Sequence, residues 1–119
     1  MENDDGFIYG YVNSLSKKIF RDLKNGNIPV DDSFDLHGLT TQEAKKELQA
    51  FIVNSFNGGR SCLLIIHGKG NTSRHNIAII KEHIPSWVTS KNLSRAVLAY
   101  ATALPKDGGT GAIYLLLNN

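Results

Sequence analysis

Only one cysteine, Cys62, stands among the 119 residues, so no disulfide can form within one chain and a reducing compartment is the expected setting. No apolar stretch approaches the roughly 18 residues that a membrane-spanning helix needs. No charged-then-apolar leader follows Met1. These absences set the expectation of a soluble, cytoplasmic protein with no membrane partner, in which Asn71-Thr72-Ser73 and Asn92-Leu93-Ser94 carry no meaning as glycosylation sites. Repeats and low-complexity tracts are missing as well. What remains is ordinary globular usage, 41% apolar and 20% charged, at a length that buries about two thirds of the unfolded surface without staples.

Acids are scarce in one region. Between Gly59 and Lys106, Glu82 alone faces Arg60, Lys69, Arg74, Lys81, Lys91, Arg95 and Lys106. Residues 1–36 carry seven acids against four bases, and residues 37–119 carry nine bases against four acids, so the net charge of +2 conceals a gradient. A basic stretch of this kind is what a polyanion partner requires, although a solvated basic surface has the same composition.

Ile8, Val12, Leu15, Ile19 and Leu23 fall on one helical stripe ahead of Gly26, which predicts an amphipathic helix over about 7–24. Residues 27–32 read as a linker, making 1–32 a helix-and-linker segment and 33–119 the folded domain. A first strand is expected at 33–37. Thr40 and Glu43 have the spacing of a capping box, opening a helix with Ala44, Leu48, Phe51, Ile52 and Phe56 inward and Asn57-Gly58-Gly59 at its end. The apolar run Cys62 to Ile66 suits a strand covered on both faces. A helix near 75–84 should stop at Pro85. Strands at 96–104 and 112–117, joined by a glycine-rich connection, complete an α/β two-layer sandwich: a four-stranded mixed sheet in βαβαββ order with an additional N-terminal helix. Right-handed crossovers make the first three strands parallel and the last antiparallel.

In such a sheet the C-terminal ends of the first three strands share one edge, where open α/β sheets hold ligands. Asp35-Leu36-His37-Gly38, His67-Gly68-Lys69-Gly70 and Lys106-Asp107-Gly108-Gly109-Thr110-Gly111 stand at those ends. Asp35 and His37 lie two apart on a strand, so a carboxylate shares a face with an imidazole whose tautomer it can fix. His67 on a neighbouring strand would complete a base and an acid, enough to move a proton on and off a phosphodiester. Glycine amides at Gly68, Gly70, Gly108 and Gly109, with Lys69, Arg74 and Lys106, would hold the phosphate and its neighbours. The plainer alternative makes Asp35 an acceptor of backbone amides at a turn and the glycines mere carriers of positive φ.

Other chemistries are excluded. Leu63 stands where a phosphate-binding P-loop needs glycine, neither glycine cluster fits G-x-G-x-x-G, and His67, His75 and His83 have no zinc-ligand spacing. Asp35, His37 and His67 have the composition of a two-histidine, one-carboxylate metal site, but their closeness is only inferred from the strand order, and no metal ligand is assigned. Cys62 reads as packing, His75 and His83 as surface residues, and Trp87 as a cover for the sheet edge.

Phe34-Asp35-Leu36-His37-Gly38, His67-Gly68-Lys69-Gly70 and Gly108-Gly109-Thr110-Gly111-Ala112 resemble, in order and spacing, the L-D-L-H-G, H-G-x-G and G-G-x-G-A motifs of the small MutS-related, or Smr, domain family, here as a stand-alone protein. Phe34 replaces the usual leucine, and Asn71 to Asn76 stand where a Leu-Arg pair is common. The resemblance covers about residues 20–117. It implies a two-layer α/β domain akin to the C-terminal domain of translation initiation factor three, nucleic-acid binding and, in many members, endonuclease activity on DNA or RNA. It carries the family's acid and histidine onto Asp35 and His37, and its glycine loop onto His67 through Gly70. The expected mechanism gives Asp35 the orienting role, His37 the base, His67 the acid, and Lys69 with the loop amides the phosphate. No cofactor is required on RNA, where the 2′-hydroxyl attacks; on DNA, where water attacks, a divalent metal enters. The competing expectations are a non-catalytic module bound to nucleic acid or a ribosome, and an adaptor working through the opening helix.

Overall fold

The computed structural model describes residues 6–12, 15–69 and 75–119. Along them run β1 (Tyr9–Tyr11), α1 (Lys17–Lys24), β2 (Asp32–Asp35), α2 (Thr41–Asn57), β3 (Cys62–Ile66), α3 (His75–Val88), β4 (Val97–Thr102) and β5 (Ala112–Leu117). The strands form one sheet in the order β1-β4-β5-β3-β2. β2 pairs parallel with β3, and every other pairing is antiparallel. β2, β3 and β4 therefore point the same way and β5 returns against them, as expected, with β5 lying between β3 and β4.

Two expectations are corrected. The sheet has five strands rather than four, because residues 9–11 are not helical. Tyrosine favours strands and glycine weakens a helix, and the edge of β4 offers partners: Thr102 N–H donates to the Ile8 carbonyl at 2.8 Å, and Val12 N–H to that of Leu98 at 2.9 Å. Gly10 fits this edge because a Cβ there would stand 2.8 Å from the Tyr100 hydroxyl oxygen. The element order is thus βαβαβαββ, and α1 opens only at Lys17, where the Ser16 hydroxyl accepts the Ile19 N–H at 3.1 Å. The second correction is α3, which continues through Pro85 to Val88. Losing one helical hydrogen bond is offset by burying Trp87 and Val88 in the core. Thr89 steadies the exit by donating both its hydroxyl, at 2.7 Å, and its N–H, at 3.2 Å, to the Pro85 carbonyl. Trp87 lies on this helix, its ring stacked on His83 at 5.4 Å.

Alternate residues of the central strands enter two separate cores. Leu63, Ile65, Ile113 and Leu115 pack with Leu48, Ile52, Ile80 and Ile84 beneath α2 and α3. Cys62, Ala112, Tyr114 and Leu116 pack with Leu23 of α1 on the opposite face. The expected two layers are α2 and α3 on the sheet, and α1 adds a partial third over β4 and β5. Cys62 is fully buried, and burial first, then Asp31, pushes its thiol up to about 11, so it packs as a protonated side chain. Among the described residues no helix is long and apolar enough to cross a membrane.

Candidate active site

The capping box forms as the sequence requires: the Thr40 hydroxyl accepts Glu43 N–H at 3.1 Å and the Glu43 carboxylate accepts Thr40 N–H at 2.9 Å. It starts α2 directly beyond the C-terminal end of β2. Leu36 N–H donates to the Ile66 carbonyl at 2.8 Å, extending the parallel ladder past the last paired residues, Asp35 and Ile66. The ends of β2 and β3 therefore run side by side. Between them and the first turns of α2 and α3 lies a cleft of about 310 Å³, lined by Asp35, His37, Gly38 and Thr40 on one side and His67, Gly68, Ile77 and Ile80 on the other.

Asp35 and His37 are exposed, while Leu36 between them is buried and anchors the segment. The Asp35 carboxylate accepts the main-chain N–H of His37 at 2.8 Å, so its observed bond fixes the turn rather than the imidazole ring. Gly38 follows with φ +82°, which permits the chain to swing from strand to helix.

His67 has the opposite character. It is 5% exposed, and its Nδ1 lies 2.7 Å from the Gly68 carbonyl oxygen. An oxygen without hydrogen can only accept, so Nδ1 carries the proton and Nε2 a lone pair. Nε2 is buried and has no hydrogen-bond partner among the described residues. Burial lowers the ring's pKa to about 4, the Lys81 charge adds to the drop, and the Gly68 carbonyl opposes both. His67 is therefore neutral at physiological pH.

The glycine connection before β5 holds this loop in place. The Gly111 carbonyl accepts the N–H groups of both His67, at 2.8 Å, and Gly68, at 2.9 Å. Gly68 has φ +93°, and a Cβ there would stand 2.7 Å from Cγ2 of Ile77. Close approach on both sides is why glycine stands at the turn.

The remaining expected residues divide. Lys69 is exposed and also lies outside the cleft lining, and its carbonyl accepts a hydrogen bond from Nζ of Lys81 at 3.2 Å. Lys106, Gly108 and Gly109 follow the end of β4 and do not line the cleft. Lys106 pairs with Asp107 at 3.1 Å, and Asp107 in turn accepts the Tyr114 hydroxyl at 2.5 Å. The Tyr114 bond first, then Lys106, holds the Asp107 carboxyl below its usual range, while burial and this carboxylate push the Tyr114 hydroxyl up. Gly70 and Arg74 lie outside the described residues, and so does the side chain of His75. Lys81, four after Ile77 on α3, stands beside the loop that follows His67 and lines a neighbouring groove rather than the cleft. Among the described residues no group of three His, Cys, Asp or Glu side chains could hold a metal ion.

Comparison with known proteins converges on one family. Residues 34–118 match the family model of the Smr domain. The chain is 33% identical over 103 residues to the probable DNA endonuclease SmrA of Escherichia coli, covering 87% of this chain and 54% of that protein. It is 32% identical over 116 residues to the ribosome rescue factor SmrB of Aliivibrio salmonicida, covering 98% of this chain and 60% of that protein. It thus spans a little over half the length of these curated relatives. Its structure is similar to that of YdaL, a stand-alone small MutS-related protein from Escherichia coli, with TM-score 0.80 and 30% identity over 95% of this chain and 84% of that one. It is also similar to the Smr domain of Thermus thermophilus MutS2, with TM-score 0.62 and 27% identity over 74% of this chain and 99% of that one.

Proposed function

The chain belongs to the Smr domain family, and from that premise we propose that it is a nucleic-acid endonuclease acting at the cleft between the ends of β2 and β3. The observation that carries this reading is the convergence of Asp35, His37 and His67 on one cleft beside glycine amides. A relative named as a probable DNA endonuclease supports it. So does the basic region between Gly59 and Lys106. A cytoplasmic setting, where RNA is met, fits the same reading.

The tautomer of His67 favours exchanging the two histidine roles expected from sequence. A neutral ring with its lone pair on Nε2 accepts a proton and does not supply one. On RNA the 2′-hydroxyl oxygen attacks the adjacent phosphorus and its proton passes to His67 Nε2. The bond from phosphorus to the 5′ oxygen breaks, and that oxygen takes a proton from His37, entering as imidazolium. The products are a 2′,3′-cyclic phosphate and a 5′-hydroxyl. Lys69 and Lys81 line the neighbouring groove rather than the cleft, and add positive charge beside the phosphate from there. On DNA the attacking group is water, for which a divalent ion is the usual activator; the described donor set does not fit one, and no step here runs through a metal.

Purified protein incubated with labelled single-stranded RNA, supercoiled plasmid and linear duplex, with and without chelator, tests the reading beside His37→Ala. The expected result is a cyclic phosphate end on RNA and a loss of cleavage of about 100-fold or more in the variant, with affinity changed only a few-fold. Equal cleavage by both proteins overturns it. The second reading, a non-catalytic nucleic-acid- or ribosome-binding module, is favoured by the burial of Nε2 and by relatives named as ribosome rescue factors; binding without any wild-type cleavage would establish it.

A further inference from the structure

The exposed aromatic residues of this protein are gathered in one place. Among the described residues the large aromatics more than half exposed are Phe7, Tyr9 and Tyr11, at 51%, 56% and 60%. Tyr9 and Tyr11 alternate on the edge strand β1 and so share a face. Phe20 of α1 stands beside both, with ring centroids 6.2 Å and 5.4 Å away. Lys24 Nζ lies 5.0 Å from the Tyr9 ring and 4.9 Å from the Phe20 ring. α1 itself carries Lys17, Lys18, Arg21 and Lys24 against Asp22, which Lys18 pairs at 2.8 Å.

Leaving two tyrosine rings in water forgoes burial that would stabilise the fold, and neither ring is needed to close the sheet, because β1 pairs through its backbone. Aromatic faces interleaved with cations are the combination that holds unpaired nucleotides: bases stack on the rings and phosphates meet the lysines. Tyr9 and Tyr11 pair with Ala101 and Ala99 and so stand on the α1 face of the sheet, opposite the α2 and α3 face that holds the cleft, and the rim between the two faces runs past Phe7. Phe7, just ahead of β1, lines a groove of about 460 Å³ with Ile8, Lys69 and Lys81, and Lys69 belongs to the loop after His67. From β2 to β1 the sheet crosses four inter-strand gaps, about 19 Å at the usual spacing.

We infer that Tyr9, Tyr11, Phe20 and Lys24 form a stacking platform for single-stranded nucleic acid, which holds the strand several nucleotides away from the phosphodiester in the cleft. The position of the strand relative to that phosphodiester rests on the cleavage reading above; the platform's own affinity does not. Duplex is a poor occupant, since its bases are already stacked and present no free face to the rings.

Fluorescence anisotropy at fixed salt, with a labelled RNA of about 15 nucleotides and the corresponding duplex, tests this. The double variant Tyr9→Leu/Tyr11→Leu keeps apolar contact with Phe20 but removes the aromatic faces, and Tyr9→Phe/Tyr11→Phe restores them. The leucine pair should weaken single-strand binding about tenfold or more, the phenylalanine pair about twofold or less, and neither should alter duplex binding. If wild type cleaves RNA, the leucine pair should raise KM for the long strand and leave that for a dinucleotide unchanged. Loss of single-strand affinity in a protein that cleaves nothing would sink the cleavage reading and keep the platform. Single-strand affinity unchanged in the leucine pair, or an equal fall on duplex, overturns the platform whether or not the cleft cuts, and leaves the rings to a protein partner.

Discussion

The carboxylate of Asp35 accepts the main-chain N–H of His37 at 2.8 Å. The acid of the motif thus holds the turn at His37 through the backbone, and an amide oxygen can accept the same bond. Asp35→Asn should therefore keep the turn and stay within about threefold of wild-type cleavage. Asp35→Ala should free the His37 backbone, lower stability by about 1 kcal/mol and lower cleavage about 10- to 100-fold through misplacement of the ring. Thermal melts and single-turnover rates on the three proteins check this; an asparagine variant as inactive as the alanine one would show that the negative charge itself is required.

Neutral His67 makes the fold sensitive to mild acid. Its pKa is about 4 in the folded chain, against about 6.5 for an unburied imidazole. Between those values the unfolded chain binds the extra proton and the folded chain does not. The contribution of the neutral ring is therefore complete above about pH 6.5 and is lost progressively as pH falls to about 4, by up to about 3 kcal/mol. Carboxylates such as Asp31 and Asp107 also titrate in acid, but a His67→Gln variant retains them. Urea unfolding of both proteins from pH 7 to pH 4.5 should show the wild type losing stability faster than the variant; parallel profiles would mean that the ring is not held neutral.

Much of this arrangement is legible in the chain because local rules and tertiary packing agree there. Thr40 and Glu43 announce the start of α2, the run Cys62 to Ile66 forms a doubly covered strand, and the residues after β2 and β3 meet because two parallel strands leave their ends on one edge. The misreadings lie where non-local partners decide. Ile8 and Val12 suit a helical stripe, yet the open edge of β4 draws the segment between them into pairing. Pro85 ought to end α3, but burial of Trp87 and Val88 carries the helix beyond it. The tautomer of His67 is illegible in the chain for the same reason. Its proton position depends on the Gly68 carbonyl and its neutrality on burial, neither of which is written in the motif.

Lys69 and Lys106 are alike in sequence and unlike in the structure. The Lys106 ammonium is 3.1 Å from Asp107, and Tyr114 holds that carboxylate in place at 2.5 Å while accepting the Leu104 N–H at 3.2 Å. A phosphate that approaches Lys106 meets a charge already compensated, and must separate the pair to use it in full. Lys69 stands on the loop that follows His67, beside Lys81. Lys69→Gln should therefore weaken nucleic-acid binding and flatten the dependence of log K on log salt by close to one phosphate contact, about 0.7 in slope for a single strand, whereas Lys106→Gln should change the slope by less than half of that. Asp107→Asn should act in the opposite direction, steepening the slope by freeing Lys106. Titrations of a single-stranded oligonucleotide at four or five salt concentrations measure all three, and equal slopes for Lys69→Gln and Lys106→Gln would show that the Asp107 pairing does not survive contact with the strand.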